Sequence, residues 1–231
     1  MTAGSVGSAV KSVCGKLRER LFRLAQKVNK SPLAKAALQD VTFADGQIRM
    51  RTDSSRAVAF TDAMGRGQLA VIEEEASTDV SEKQMQYSRN AHAAIFAEVR
   101  IDEDLGAIQV TRVVSAAAVG RVLNPKTARS QLLGGVVWGM GMALEEESVI
   151  DQTFGRFVNH SFGEYHVPVN ADVHDIDIIF VDEPDEIVNA LGAKGLGEIG
   201  IVGVAAAIAN AVFHATGKRI RELPITLDKV M

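Results

Sequence analysis

An α+β fold is the class this sequence predicts, and three observations carry it. Alternating runs and helical runs come in blocks rather than in β-α-β succession, which argues against a doubly wound parallel sheet. Two alternating runs bracket turn signals, Asp45-Gly46 and Asp104-Leu105-Gly106, so an antiparallel sheet with helices packed on it is expected. With 47% hydrophobic and 23% charged residues, a chain of 231 residues can bury a core, as one large domain or two small ones.

The elements follow in order. "TAGSVG", residues 2–7, reads as a small-residue loop entering a helix, as though the polypeptide began inside a domain, so the chain is expected to be a piece of a larger one. Val10, Val13, Cys14, Leu17, Leu21, Leu24 and Val28 then mark an amphipathic helix over 8–29. Its other face carries Lys16, Arg18, Arg20, Arg23 and Lys27, a run that is either solvated or met by a partner subunit. "SPLAKAAL" predicts a short helix with Ser31 as cap and Pro32 at its first position. A hairpin is expected over 41–51, a helix over 54–64, a strand with an acidic end over 68–76 and a loop over 78–92. A long hairpin follows over 93–120. "LNPKTARSQLLGGVVWGMGMALEEE" is a helix capped by Asn124 and begun by Pro125, and Gly134, Gly135, Gly139 and Gly141 thin its surface for close packing. Strands are expected at 149–159 and 176–181, and a last helix from Ile199 to Ala215 closed by Gly217. That last run approaches the shortest membrane span, but it includes Asn210 and His214 and reads as a buried core helix.

Composition excludes several chemistries. A formal charge of -4 argues against a general nucleic-acid binder. The single cysteine, Cys14, excludes an internal disulfide framework and an all-cysteine iron–sulfur site within this chain. His92, His160, His166, His174 and His214 are scattered without helical pair spacing, so no metal ligands are expected. Gly195-Leu196-Gly197-Glu198-Ile199-Gly200 matches the dinucleotide fingerprint, but no good strand precedes it and the acidic candidate, Glu222, comes late.

The same stretch can be read through its carboxylate. If a helix opens at Ile199, Glu198 stands beside free backbone N–H groups that favour its ionised form, while burial among Leu196, Ile199 and Ile201 opposes it. Such a group suits a general base; the plain alternative is that it stabilises the first helical turn. Arg121 to Gln131 form a second constellation. A capped helix start with Arg121, Lys126 and Thr127 is a natural seat for a phosphate, or simply an ordinary cap with solvated basic neighbours. Together with the 2–7 segment, these loop-to-helix junctions suggest one extended anionic ligand held by backbone amides.

Three blocks, "TAGSVGSAVKSVC", "VGRVLNPKTARSQLLGGVVWGMGMALEEE" and "GAKGLGEIGIVGVAAAIANAVFHATGKRIRELPITLDKV", resemble in order the molybdenum-binding subunit of the xanthine dehydrogenase/aldehyde oxidase family, most of all the three-subunit bacterial aldehyde oxidoreductases. The resemblance implies that residues 1–231 are the C-terminal portion of the subunit's cofactor-binding domain. It implies an oxidation of aldehydes to carboxylic acids with water as oxygen source, using a molybdopterin cytosine dinucleotide whose own sulfurs hold the metal. Glu198 corresponds to the family's catalytic base. Lys194, Gly195, Leu196 and Gly197 correspond to the stretch along the cofactor. Arg121, Val122, Leu123, Asn124, Pro125, Lys126 and Thr127, with Gln131, correspond to the stretch gripping the dinucleotide, and Ala3 and Gly4 to a further contact loop. Iron–sulfur clusters and FAD would sit on partner subunits. A purine or other heterocycle hydroxylase of the same family and a non-catalytic docking domain are the rival expectations.

Overall fold

The structure, a computed structural model, describes residues 2–77 and 81–231. The chain divides into two compact units, residues 2–81 and residues 82–231.

The first unit is organised by α1 (Thr2–Gln26). This helix takes in residues 2–7, so Ala3 and Gly4 are helical rather than part of a loop; no proline interrupts the run, and helix propagates readily from a packed stripe. α1 buries Phe22 and Ala25 against Leu33, Val41, Ile48, Val58 and Ala63. Strands β1 (Val41–Ala44), β2 (Gln47–Met50) and β3 (Ala57–Ala59) form an antiparallel sheet in that order. The expected hairpin is present, with positive φ at Asp45 (50°) and Gly46 (72°), as its two-residue turn requires.

Three expectations in this unit fail for tertiary reasons. Residues 32–35 form turns instead of a helix, because Leu33 is drawn fully into the core, and a one-turn 3₁₀ helix follows at Leu38–Asp40; Ser31 still accepts the Leu33 N–H at 3.2 Å. Residues 54–64 split into β3 and α2 (Phe60–Arg66), since Val58 pairs with Ile48 across the sheet. Residues 68–76 do not pair as a strand. Lys16 instead donates to the Glu75 carbonyl (2.7 Å), and Arg20 to the Glu73 carbonyl (3.2 Å) and the Glu74 carboxylate (2.9 Å). Part of the basic face of α1 is thus engaged by the chain's own acidic segment.

The second unit begins with a one-turn helix, α3 (Glu82–Met85), inside the stretch expected as a loop; residues 78–80 of that stretch lie outside the described residues. β4 (His92–Ile101) and β5 (Ile108–Ala118) make the long hairpin, followed by α4 (Pro125–Leu144). The strand expected at 149–159 is a small hairpin, β6 (Ile150–Asp151) and β7 (Arg156–Phe157), reversed at Gly155 with φ 61°. β8 (Asp175–Phe180) then pairs parallel to β5, giving the order β4-β5-β8. The sheet is therefore mixed rather than antiparallel, because α4 supplies the crossover that a parallel pair requires. α5 (Val204–Thr216) ends at Gly217 (φ 73°), and α6 (Leu227–Val230) closes the described chain.

Val110, Val113, Val136, Met140, Val204, Ile208 and Val212 form the core between sheet, α4 and α5. The glycine surface of α4 is used as expected at three of its four positions, with a Cβ on Gly141 falling 2.8 Å from Pro168 Cδ. A Cβ on Gly139 would lie 2.5 Å from Val204 Cβ, and one on Gly135 would lie 2.9 Å from Gly200. Among the described residues, no helix is long and apolar enough to cross a membrane.

Candidate functional site

The second unit brings two of the sequence blocks together. β5 ends at Ala118, and the Arg121 N–H donates to the Gly192 carbonyl (2.7 Å) while the Lys194 N–H donates to the Val119 carbonyl (2.9 Å). Gln131, on α4, donates its side-chain amide to the Gly197 carbonyl (2.9 Å). The turn carrying Glu198 therefore lies against the N-terminal half of α4. Leu196 and Ile199 add an apolar anchor on Ala117, Val119 and Leu132.

Glu198 does not stand at a helix start. α5 begins only at Val204, and residues 197–203 are successive turns, with Ile201 N–H on the Glu198 carbonyl (3.1 Å). Tertiary contact explains the shift: Gly200 packs so closely on α4 that a Cβ there would meet the Leu132 carbonyl at 3.0 Å. The carboxylate is exposed, not buried among Leu196, Ile199 and Ile201. The structure supplies neither the burial nor the helix end that the sequence suggested.

At the start of α4 the cap is as expected, and it consumes the amides that were to bind an anion. Asn124 Oδ1 accepts from the Lys126 N–H (3.1 Å) and the Thr127 N–H (3.2 Å), Pro125 has no N–H, and Ala128 N–H bonds the Asn124 carbonyl (3.0 Å). Thr127 donates its hydroxyl to the Asn124 carbonyl (3.3 Å). Any anion here would be met by side chains. Arg121, Lys126 and Arg129 are exposed, and none has a side-chain hydrogen bond or ion pair among the described residues. Arg129 was not singled out in the sequence; its spacing of three from Lys126, which puts both on one helix face, was the signal that could have found it. Val122 packs in the small apolar cluster, whereas Leu123 is exposed.

Gly195 and Gly197 pass a test of fit for a bound group. Neither has positive φ, and a Cβ on either would meet nothing within 4 Å. Neither backbone conformation nor packing within the chain requires glycine at these positions.

Lys194 is occupied differently. Its side chain is only 4% exposed, and its ammonium lies 3.3 Å from Glu183 and 3.4 Å from Asp185. Burial raises the Asp185 pKa, but the Val188 and Ile187 N–H groups and Lys194 outweigh it, so the net shift is downward. Ala3 and Gly4 belong to α1 in the other unit, away in sequence from this assembly.

Comparison with known proteins follows this geometry. A family model described as molybdopterin cofactor-binding domain matches residues 1–174. The aldehyde oxidoreductase molybdenum-binding subunit PaoC of Escherichia coli (strain K12) is 41% identical over 229 residues, 99% of this chain and 29% of that protein. A xanthine dehydrogenase molybdenum-binding subunit of Escherichia coli O157:H7 is 38% identical over 136 residues, 59% of this chain and 18% of its own length. Among solved structures, quinoline 2-oxidoreductase from Pseudomonas putida 86 matches 99% of this chain and 29% of its own with a TM-score of 0.75 at 24% identity, a likeness of fold. The chain thus spans under a third of the length of these relatives.

Proposed function

The chain belongs to the molybdopterin cofactor-binding domain family, and from that membership we propose that it forms part of the molybdenum site of a hydroxylase that oxidises aldehydes to carboxylic acids. The observation that carries this reading is 41% identity to an aldehyde oxidoreductase molybdenum-binding subunit along 99% of the chain. When bound, the molybdenum cofactor supplies the acceptor for the two electrons of the oxidation, and water supplies the oxygen.

The chain's own residues have three tasks in this reading. Arg121, Lys126 and Arg129 offer free positive charge to the phosphates of a dinucleotide, which we take to be the cytosine form; at the exposed positions they occupy, charge pairing is worth roughly 0–1 kcal/mol each. Gly195 and Gly197 leave the backbone bare for close contact with the cofactor. The Glu198 carboxylate accepts the proton released as the nucleophile forms, a contribution of about 100- to 10,000-fold for a positioned base. Electrons would leave through an iron–sulfur subunit and an FAD subunit. Residues 1–231 would together be one portion of the cofactor-binding domain.

A purine hydroxylase is the second reading, supported by the 38% identity to a xanthine dehydrogenase subunit but over a shorter match. Replacement Glu198→Gln in the assembled enzyme tests the role of the base. Molybdenum content is expected to stay, and turnover to fall by about 100-fold or more. Turnover within a few-fold of the unaltered enzyme would remove Glu198 from that role.

A further inference from the structure

We propose that Lys194 is a positioning residue: its buried ammonium pins the loop after β8 to the end of β5 and so fixes the turn that carries Glu198. The proposal rests on the reading of Glu198 as the base, and it assigns Lys194 a task other than lying along the cofactor.

The ammonium is nearly shielded from solvent and already faces two carboxylates, which take two of its three N–H donors. Its side chain is 4% exposed, and both nearest oxygens, on Glu183 and Asp185, come from residues 182–185. Asp185 is itself fixed, since its Oδ1 accepts the Ile187 and Val188 N–H groups, each at 2.9 Å; Glu183 is held less firmly, its Oε2 lying 3.5 Å from His92 Nε2 at the start of β4 without a hydrogen bond. The intervening loop is closed by Asn189, whose side chain bonds the Ala193 carbonyl (2.6 Å) and the Leu191 N–H (3.0 Å). Gln84 donates to the Ile187 carbonyl from outside (2.8 Å).

Lys194 is thus held at both ends, through its ammonium and through its N–H on the Val119 carbonyl. Only three residues separate it from Glu198, and two of them are glycines with open space around them. Two bare glycines give the chain nothing of their own with which to hold a direction. The direction must come from the anchors on either side: Lys194 before, Leu196 and the Gln131 bond within, and Gly200 on α4 after. Of these anchors only Lys194 is ionic. A nearly buried cation left without its partners is costly, so the pairs should be strongly coupled to the order of the loop.

Amide hydrogen exchange of the full chain tests this, using Lys194→Met, Asp185→Asn, the double variant and Lys194→Arg. Asparagine keeps the oxygen that accepts from Ile187 and Val188 while removing the charge. Peptides covering 195–201 are expected to exchange about tenfold faster in either single variant, with no further gain in the double, and peptides from 2–66 to stay unchanged. Lys194→Arg should restore most of the protection. In the cofactor-loaded enzyme, Lys194→Met should lower kcat more than it changes KM while molybdenum is retained. Unchanged exchange at 195–201 together with loss of the cofactor would overturn the proposal, because the ammonium would then be a direct contact. If exchange rises as expected but Glu198→Gln still turns over, the anchor stands and the reading of Glu198 as base falls separately.

Discussion

Glycine is the residue whose meaning changes most along this chain. Gly139 and Gly135 are glycines because another part of the chain fills the space of a side chain, and Gly217 because φ is positive. Gly195 and Gly197 satisfy neither condition. Gly197→Ala should therefore leave the thermal midpoint of the chain nearly unchanged while weakening cofactor retention about tenfold or more, the scale of one methyl forced into a close contact. Measuring both on the same preparation separates the two effects; a large loss of thermal stability with cofactor binding intact would show that the glycine serves the fold. The K-G-L-G-E run itself was legible in the sequence, and so were Arg121 and Lys126. The partners of Lys194 were not, because Glu183 and Asp185 reach it only through the loop that follows β8.

Among the elements, α4 carries the clearest agreement between sequence and structure. Its cap at Asn124, its start at Pro125 and its close packing at Gly135 and Gly139 were all readable from residue type. The consequence is a contrast within one helix. Gly139→Leu drives a side chain into Val204, 2.5 Å from the position of the first added carbon, and should cost about 1–3 kcal/mol or more in the stability of the second unit. Gly134→Ala meets nothing within 4 Å and should stabilise the helix by about 0.5–1 kcal/mol. Thermal or denaturant unfolding of the two variants side by side checks this, and shifts of the same sign would refute the packing described for α4. By contrast α5 starts later than periodicity suggested, since the apolar run from Ile199 is continuous but its first turns are claimed by Gly200 packing on α4.

For the whole molecule, the proposed function makes a prediction about substrate. The assembled enzyme should turn over aldehydes at least about tenfold faster, in kcat/KM, than purines, a modest discrimination for a site shaped to one substrate class. A preference for purines, with molybdenum content equal, would move the protein to the second reading. The sequence by itself determined the α+β class, the hairpins at Asp45-Gly46 and Asp104-Gly106 and the two long helices of the second unit, because local periodicity, caps and turn residues act over a few neighbours and leave their mark in residue order, while the family was legible only as a resemblance of three whole blocks. Only the tertiary structure decided the parallel pairing of β8 with β5, the division into two units, the engagement of Lys194 by Glu183 and Asp185, and the exposed turn that bears Glu198. Each of these depends on contacts between residues distant in sequence, where the free energy of burial and pairing outweighs local preference, and residue order alone does not say which distant segments will meet.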